Sequence, residues 1–226
     1  MKIYTIHGNA QSEEIFSKVQ LDNIEHITLP GHGSSKKLSD YSLEYYVDYV
    51  NDIITEPCLL LGHSLGGHIA INACERCQNI KGMVITGTPP LSNETFSEAF
   101  LANESLGILF QEERDDSLLE DFLSLQTKDH ELKALLKKMY NEQHSIARSS
   151  FNDSLSLGVN NEIDILKKTN VPFLLSFGDK ENIANVSYTE ALDLGEVYKF
   201  KSAHNVMWEN PKEYIDVVNE FIYKLE

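Results

Sequence analysis

The feature that most constrains the fold is the run over residues 57–67, which reads Pro-Cys-Leu-Leu-Leu-Gly-His-Ser-Leu-Gly-Gly. It opens with a short apolar stretch, Cys58 to Leu61, that is typical of a buried strand. After Gly62-x-Ser64-x-Gly66 the apolar residues recur at helical spacing. A strand, a tight turn and a helix are the context in which this pattern exposes a serine hydroxyl on a strained backbone. The setting, rather than the weak pattern alone, makes Ser64 a candidate nucleophile.

The rest of the chain alternates β-prone runs with helical patterns. The predicted strands cover residues 2–6, 24–29, 58–61, 81–86, 172–177 and 196–200. Such alternation predicts a mostly parallel sheet of about six strands with helices on both faces. In such a sheet the ligand site lies beyond the carboxyl ends of the strands. The residues that follow four of the strands, and so meet at this edge, are His7, Gly31, Ser64 and Thr88.

The alternation of β-prone runs and helical patterns stops over residues 91–160. No β-rich run appears there, and leucine-rich helical patterns follow one another. We interpret this segment as a helical cap inserted over the strand ends, and residues 1–90 and 161–226 as the core. Ser117-x-x-Glu120 and Ser187-x-x-Glu190 resemble capping boxes at two helix starts. Asn210-Pro211-x-Glu213 predicts the start of the last helix, with proline at its first position.

Charge and cysteine content restrict the partners and the setting. The 226 residues carry a formal net charge of −16, which argues against nucleic acid and anionic membrane surfaces as partners. The three cysteines suggest no disulfide framework, and Cys74-x-x-Cys77 lacks the second ligand pair that a zinc site needs. Neither a leader-like segment nor a membrane-spanning run is apparent, so a cytoplasmic setting is expected. The oligomeric state is left open.

A serine hydroxyl becomes a useful nucleophile only when a base takes its proton and a third group orients that base. His204 follows the last strand near the C-terminus and is the predicted base. The acid is expected between the serine and the histidine in sequence, and the loop after residue 178 offers two candidates. We favour Glu181, three residues after a glycine, and keep Asp179 as the alternative.

The developing oxyanion needs two hydrogen-bond donors. The Leu65 amide, at the start of the predicted helix, is one candidate, and the Asn9 amide, in the loop after the first strand, is the other. Ser64 would attack an acyl carbonyl with His204 as base, and water would then release the acyl group. The expected partner is a small acyl substrate, and this chemistry requires no metal and no organic cofactor.

At this point the sequence resembles the α/β-hydrolase superfamily over nearly its whole length. The resemblance rests on six segments, His7-Gly8-Asn9, Leu29-Pro30-Gly31-His32-Gly33-x-Ser35, Gly62 to Gly67, Gly178-x-x-Glu181, His204 and Glu209-Asn210-Pro211. It implies an α/β-hydrolase fold with a helical cap. Members usually begin with an antiparallel hairpin before the His-Gly strand, whereas here that strand starts at once, so the hairpin is expected to be missing.

A narrower resemblance is to the α/β-hydrolase type of N-acyl-homoserine lactonase. It rests on residues 29–35, on Ser64-Leu65-Gly66-Gly67-His68-Ile69 and on residues 85–90. That enzyme also pairs serine and histidine with glutamate, which would fit Glu181. The resemblance implies a lactone that carries an acyl chain.

Other functions stay open at this stage. The main interpretation is a serine carboxylic-ester hydrolase, with lactonase as its narrower form. Ser64 argues against the relatives that use a carboxylate nucleophile, but a C–C bond hydrolase or another activity of the superfamily is compatible with the residues. A non-catalytic small-ligand sensor on this fold is the alternative outside enzymes, since fold does not fix function.

Overall fold

A computed structural model describes residues 1–35, 41–92, 95–156 and 161–225, without the side chains of Phe96 and of residues 151–156. Six strands form one sheet: β1 (Lys2–Ile6), β2 (Ile24–Ile27), β3 (Cys58–His63), β4 (Ile80–Thr86), β5 (Phe173–Gly178) and β6 (Val197–Phe200). Their order is β2-β1-β3-β4-β5-β6, and each neighbouring pair is parallel. The predicted, mostly parallel sheet of about six strands is therefore confirmed.

Strand β3 lies near the middle of the sheet, where all six of its residues are buried. Leu60 pairs with Tyr4 of β1 on one side and with Met83 of β4 on the other. A strand buried on both faces reads as a continuous apolar run, which is why residues 58–61 were recognisable in the sequence.

Ten α-helices and two 3₁₀ helices occur in the described residues. The α-helices are α1 (Leu43–Ile53), α2 (Leu65–Ala73), α3 (Phe96–Ala99), α4 (Asp116–Gln126), α5 (His130–Glu142), α6 (Ser145–Ser156), α7 (Glu162–Lys168), α8 (Val186–Ala191), α9 (Val206–Glu209) and α10 (Pro211–Leu225). The 3₁₀ helices cover Glu13–Phe16 and Glu104–Phe110.

Helices cover both faces of the sheet, as predicted. Successive strand residues point to opposite faces. Accordingly Leu60 packs in a core cluster with α1 and α2 residues, whereas Leu59 and Leu61 pack in a second cluster with α10 residues. Each face thus has its own apolar layer, and the sheet lies between them.

The segment between β4 and β5 has several helices and no strand among its described residues. Leu119, Leu123 and Leu132 are buried in the second cluster, beside Met207 and other residues. A single antiparallel bridge, between Phe100 and Ala184, is described between this segment and the loop after β5. The helical content is as expected. The division into a core of residues 1–90 and 161–226 and a cap of residues 91–160 stays a prediction, and residues 93–94 and 157–160 lie outside the described residues.

Two predicted helix starts are wrong. Helix α4 begins at Asp116, because the carboxylate of Asp115 accepts the Leu118 amide at 2.9 Å and so acts as the N-cap in place of Ser117. Helix α8 begins at Val186, and Asn185, rather than Ser187, accepts the Tyr188 amide. Asp and Asn rank among the strongest N-cap residues, and each precedes the predicted serine by two positions. The start of α10 at Pro211 is confirmed.

The register of the strands brings their carboxyl ends to one edge. Ile6 of β1 lies opposite Ile27 of β2 and opposite Gly62 of β3, and Gly62 lies opposite Ile85 of β4. The residues that follow these strands, including His7 and Ser64, therefore share one rim.

Within the described residues, no helix combines the length and apolar composition needed to cross a bilayer.

Helix α2 approaches strand β1 so closely that only glycine fits at position 66. A Cβ atom there would lie 2.0 Å from the Ile6 carbonyl oxygen and 2.5 Å from its carbon. Gly66→Ala is therefore expected to destabilise the protein by about 3 kcal/mol or more. The matched control is Gly107→Ala, where a Cβ would meet no neighbour nearer than 3.8 Å. Urea unfolding followed by circular dichroism checks this, and equal stability of the two variants would contradict the close packing.

Candidate active site

Ser64 occupies the turn between β3 and α2 in a strained backbone conformation. Its φ of 51° and ψ of −115° lie in a region that residues with a Cβ rarely adopt. Two contacts with the end of β4 hold the turn: the Ser64 amide donates to the Thr86 carbonyl at 3.0 Å, and the Thr88 hydroxyl donates to the Ser64 carbonyl at 2.8 Å. The side chain is half-buried. This is the strand–turn–helix geometry that the motif requires.

Leu65 is the first residue of α2, so its amide belongs to the N–H groups at the helix start that have no acceptor within the helix. Asn9, in the loop after β1, lines the same cavity as Ser64 and Leu65, which is described below. Its side-chain oxygen accepts from the Ala10 amide at 3.0 Å and from Gln143 Nε2 at 2.7 Å. Its Nδ2 donates to the Arg148 carbonyl at 3.2 Å. The loop that carries the Asn9 amide is therefore fixed by residues of the helical segment.

His204 and Glu181 form a buried pair at the ends of β6 and β5. His204 Nδ1 lies 2.9 Å from Glu181 Oε1 and 3.0 Å from Oε2, and the two side chains are 3% and 1% exposed. Asp179 is exposed, and no hydrogen bond joins it to His204 among the described residues. Of the two acids that the sequence offers, the structure therefore places Glu181 against the imidazole.

The glutamate is held as a carboxylate. Burial by itself raises the pKa of Glu181, but the charge and hydrogen bond of His204 and the amides of Ile183 and Ala184 outweigh it, so that the pKa is lowered. Oε1 also accepts from the Asn182 amide at 3.0 Å. Because a carboxylate only accepts hydrogen bonds, His204 Nδ1 carries the proton and Nε2 is the nitrogen left for proton transfer.

The His204 ring lies beside the turn around Ser64 between β3 and α2, which we call the elbow. Its centroid is 4.8 Å from that of His63, the residue before Ser64, and a Cβ on Gly87 would come within 3.0 Å of His204 Cε1. Within the described residues, no hydrogen bond joins the Ser64 hydroxyl to His204. Hydrogen bonds of this kind often shorten only in the substrate complex. The structure thus joins the histidine to the glutamate directly and brings the serine to the same rim.

Ser64, Leu65 and Asn9 line one cavity of about 270 Å³. Much of its remaining wall is apolar and comes from residues 100–110 and Ile183, the apolar members being Phe100, Leu101, Ala102, Leu106, Leu109, Phe110 and Ile183. Besides Asn9 and Ser64, the polar residues of the wall are His68 of α2, Ser97 and Asn103. The cavity suits an apolar chain whose reactive end lies at the serine.

Sequence reasoning missed three features of this rim. His68 pairs with the buried Glu162, 94 residues away, and Gln143 and Arg148 of the helical segment contact the Asn9 loop. The only signal was the position of His68 four residues after Ser64, which predicts the same side of the helix. Nothing in the sequence pairs residues so distant.

The cysteines lie elsewhere. Cys74 and Cys77 border a surface groove of about 630 Å³ at the far end of α2 from Ser64, and all three thiols are free. Burial raises the pKa of Cys74 to about 11, so it is a weak nucleophile at neutral pH. Within the described ranges no group of three or more His, Cys, Asp or Glu side chains is arranged to hold a metal ion.

Comparison with known proteins supports this fold. The model of the alpha/beta hydrolase family matches residues 3–217. The chain therefore belongs to the alpha/beta hydrolase family.

Two curated relatives show which proteins of that family the chain is similar to. It is 23% identical over 215 residues to the biotin biosynthesis bifunctional protein BioHC of Cellvibrio japonicus, with 89% of this chain and 42% of that protein covered. It is 27% identical over 200 residues to the pimeloyl-[acyl-carrier protein] methyl ester esterase of Neisseria meningitidis, with 80% of this chain and 62% of that protein covered. The chain thus spans less than two thirds of the length of both.

Among solved structures, the N-acyl homoserine lactonase AidH complexed with N-butanoyl homoserine has the same fold. The superposition has a TM-score of 0.90 at 24% identity and covers 99% of this chain and 89% of the other. At this identity the likeness establishes the fold and no more.

His7 ties the first two loops of the rim together as a neutral imidazole. Its Nε2 accepts the Leu29 amide at 3.0 Å, and Nδ1 lies 2.9 Å from the Gly8 carbonyl oxygen. Burial lowers its pKa from 6.5 to about 4. Between these values the unfolded chain binds a proton that the folded chain does not, so stability is complete above pH 6.5 and falls down to about pH 4.

Replacing His7 is therefore expected to flatten the pH dependence of stability. Between pH 7 and pH 5 the free energy of unfolding of the unchanged protein should fall by about 2 kcal/mol more than that of His7→Gln. The side-chain oxygen of Gln can reach the position of His7 Nε2, which accepts the Leu29 amide. The other buried histidines are common to both proteins. Urea unfolding at the two pH values measures the difference, and parallel losses would contradict a neutral, buried His7.

Proposed function

We propose that the protein is a serine hydrolase that cleaves carboxylic esters or lactones through an acyl-enzyme on Ser64. The single observation that carries the proposal is the arrangement at the rim. A serine on a strained elbow and a buried imidazole–carboxylate pair lie at the same strand ends, beside an apolar cavity. Family membership supports hydrolysis as the reaction class.

In the proposed mechanism Ser64 Oγ attacks the substrate carbonyl carbon while His204 Nε2 takes the hydroxyl proton. Glu181 holds the ring in the required tautomer and stabilises the imidazolium. The amides of Leu65 and Asn9 donate to the carbonyl oxygen as it becomes negative, each contributing about 3 kcal/mol to the barrier reduction. The tetrahedral intermediate collapses with transfer of the His204 proton to the leaving oxygen.

Deacylation repeats these steps with water. His204 takes a proton from the water molecule, the hydroxide attacks the acyl carbonyl, and the proton returns to Ser64 Oγ as the ester bond breaks. With a lactone, the leaving oxygen stays tethered to the acyl group, so a single hydroxy acid is the product. No step calls for a metal ion or an organic cofactor.

The narrower proposal is a lactone that carries an acyl chain. The apolar lining contributed by residues 100–110 supports a substrate of this kind. So does the likeness to a fold neighbour described as an N-acyl homoserine lactonase, and the relatives described as esterases support the broader class.

We also propose that residues 91–160 act as the cap of this site. The helical segment supplies the cavity wall over residues 97–110 and, through Gln143 and Arg148, holds the Asn9 loop.

We further propose that the protein acts in the cytoplasm, which the free thiols of the three cysteines support.

Steady-state hydrolysis tests the proposal most broadly. We expect Ser64-dependent turnover of p-nitrophenyl esters and of N-acyl-homoserine lactones, with kcat/KM rising with acyl length until the cavity is filled. Ser64→Ala should lower turnover by about 10³-fold or more, because the nucleophile is lost.

The pattern of substrates then separates the alternatives. Ester turnover without lactone turnover would reject the lactonase and leave a general esterase. Labelling of Ser64 by a small fluorophosphonate with no turnover of either substrate would contradict the hydrolase proposal. It would favour a different bond type or a sensor that binds without turnover.

The identity of the acid is tested by a matched pair of substitutions. Glu181→Gln should lower kcat by about 10²–10⁴-fold, because the amide no longer fixes the tautomer of His204 or stabilises its charge. Asp179→Asn makes the same chemical change two residues away, on an exposed side chain, and should leave kcat within about twofold. A larger loss from Asp179→Asn than from Glu181→Gln would overturn the assignment.

A further inference from the structure

A chain of buried side-chain amides joins the loop after β1 to the loop after β6. Gln11 Oε1 accepts from the Gly8 amide at 3.1 Å, and Gln11 Nε2 donates to Asn205 Oδ1 at 2.8 Å. Asn205 Nδ2 in turn donates to Gln126 Oε1 at 3.2 Å. Gln11, Asn205 and Gln126 are 3%, 0% and 4% exposed. The mechanism proposed above uses none of these residues.

The orientation of all three amides is set from one end of the chain. The Gly8 amide can only donate, so the group of Gln11 that faces it must be the oxygen. The Gln11 nitrogen then faces Asn205, which must present its own oxygen, and the same reasoning extends to Gln126. Turning any one amide would place two donors or two acceptors against each other and leave buried polar groups unsatisfied. The chain therefore has one defined arrangement.

The two polar atoms of the Gln11 side chain each bind a residue that adjoins a group of the proposed mechanism. Gly8 precedes Asn9, so the planar peptide unit that contains the Asn9 amide begins at the residue that Gln11 binds. Asn205 directly follows His204, the proposed base. Gln11 thus links the loop that carries the second oxyanion donor to the loop that carries the base.

The residue before the nucleophile contacts the same amide chain. His63, the fully buried last residue of β3, has its Nδ1 2.9 Å from Gln11 Oε1. Its Nε2 lies 3.2 Å from the His204 carbonyl oxygen. Gln11 therefore adjoins all three segments that supply the proposed catalytic groups, which are the loop after β1, the elbow and the loop after β6.

The proposed reaction requires these segments to be in register at the same moment. His204 must reach the Ser64 hydroxyl while the Asn9 amide reaches the substrate carbonyl oxygen. Groups of this kind work only when they are held to within about half an ångström of the productive geometry. Gln11 and Asn205 are 194 positions apart in the sequence, so their hydrogen bond is a tertiary constraint on this register.

We propose that Gln11 is a positioning residue, which holds the loop after β1 and the loop after β6 in register for catalysis. Gln11 is not among the described residues that line the cavity, and it acts through Gly8 and Asn205. Gln126, the last residue of α4, extends the link to the helical segment. The inference rests on the proposed serine-hydrolase function and adds a residue to its machinery.

Gln11→Met tests the role, because Met keeps the length of the side chain and removes its amide. For p-nitrophenyl hexanoate we expect kcat to fall about tenfold or more and KM to stay within about twofold, since the cavity that binds the chain is unchanged. The trifluoromethyl ketone with the same pentyl chain forms a tetrahedral adduct with Ser64. Its affinity should fall by about the same factor as kcat, because the adduct uses the oxyanion donors and His204 as the transition state does.

The ketone separates positioning from simple loss of folded protein, because an inhibition constant does not depend on how much of the protein is active. The matched control is Ile80→Ala, which removes a buried side chain at the amino end of β4, away from the rim. It should lower stability in urea yet leave kcat, KM and the ketone affinity within about twofold. If Gln11→Met does not fold, Asn205→Leu removes the same hydrogen bond from its other side and carries the same expectation.

The outcomes distinguish the two proposals. Unchanged kcat in Gln11→Met, a loss of kcat with unchanged ketone affinity, or equal losses from Ile80→Ala would overturn the positioning role while the hydrolase proposal stands. Absence of Ser64-dependent turnover of p-nitrophenyl hexanoate by the unchanged protein would instead overturn the hydrolase proposal, and this inference with it.

Discussion

The close approach of helix α2 to the sheet is the constraint on which the site depends. A side chain at Gly66 would overlap the Ile6 carbonyl, and one at Gly67 would overlap the Thr88 side chain. Because both positions lack a Cβ, the helix can begin directly at the end of β3 and force Ser64 into its strained turn. Leu65 and His68, both on α2, line the same cavity as the serine. The strain at one residue is sustained by the packing of the whole β1–β3–α2 unit.

The rim around this turn is built from neutral buried polar groups that connect its loops. His7 joins the first loop to Leu29, and Gln143 Nε2 lies 2.7 Å from both Asn9 Oδ1 and His32 Nε2. Burial lowers the pKa of His32 well below its ordinary value, so that this ring too is uncharged at neutral pH. The loop that carries the proposed second oxyanion donor is thus coupled to the helical segment. Displacement of Gln143 or Arg148 would break hydrogen bonds with the Asn9 side chain.

The sequence predicted most where the physics is local. The apolar run, the turn glycines and the helical spacing around Ser64 together specify the elbow, and the regular alternation of elements specifies the parallel sheet. Chain order and loop spacing predicted Glu181 and His204 at neighbouring strand ends. In the structure Glu181 Oε1 lies 2.9 Å from His204 Nδ1. Their roles in catalysis stay predictions.

Prediction from the sequence failed in two situations. In one, two neighbouring side chains could each cap a helix, and in the other, the residues in contact are far apart in the sequence. Asp115 and Asn185 are the N-caps in place of the predicted serines, because each lies two positions earlier and accepts the amide three residues after itself. The pairing of His68 with Glu162 depends on how α7 returns to α2 after the helical segment, which no local pattern encodes. The contact of Gln143 with Asn9 depends on the same tertiary arrangement.

The central claim is that Ser64 becomes covalently acylated and that His204 releases the acyl group. The most direct measurement is intact-mass spectrometry of the protein quenched during turnover of a chromogenic ester, followed by mapping of the modified peptide. The account predicts a mass increase equal to the acyl group, confined to Ser64 and absent from Ser64→Ala. Turnover with no covalent adduct at any quench time, or an adduct on another residue, would contradict it.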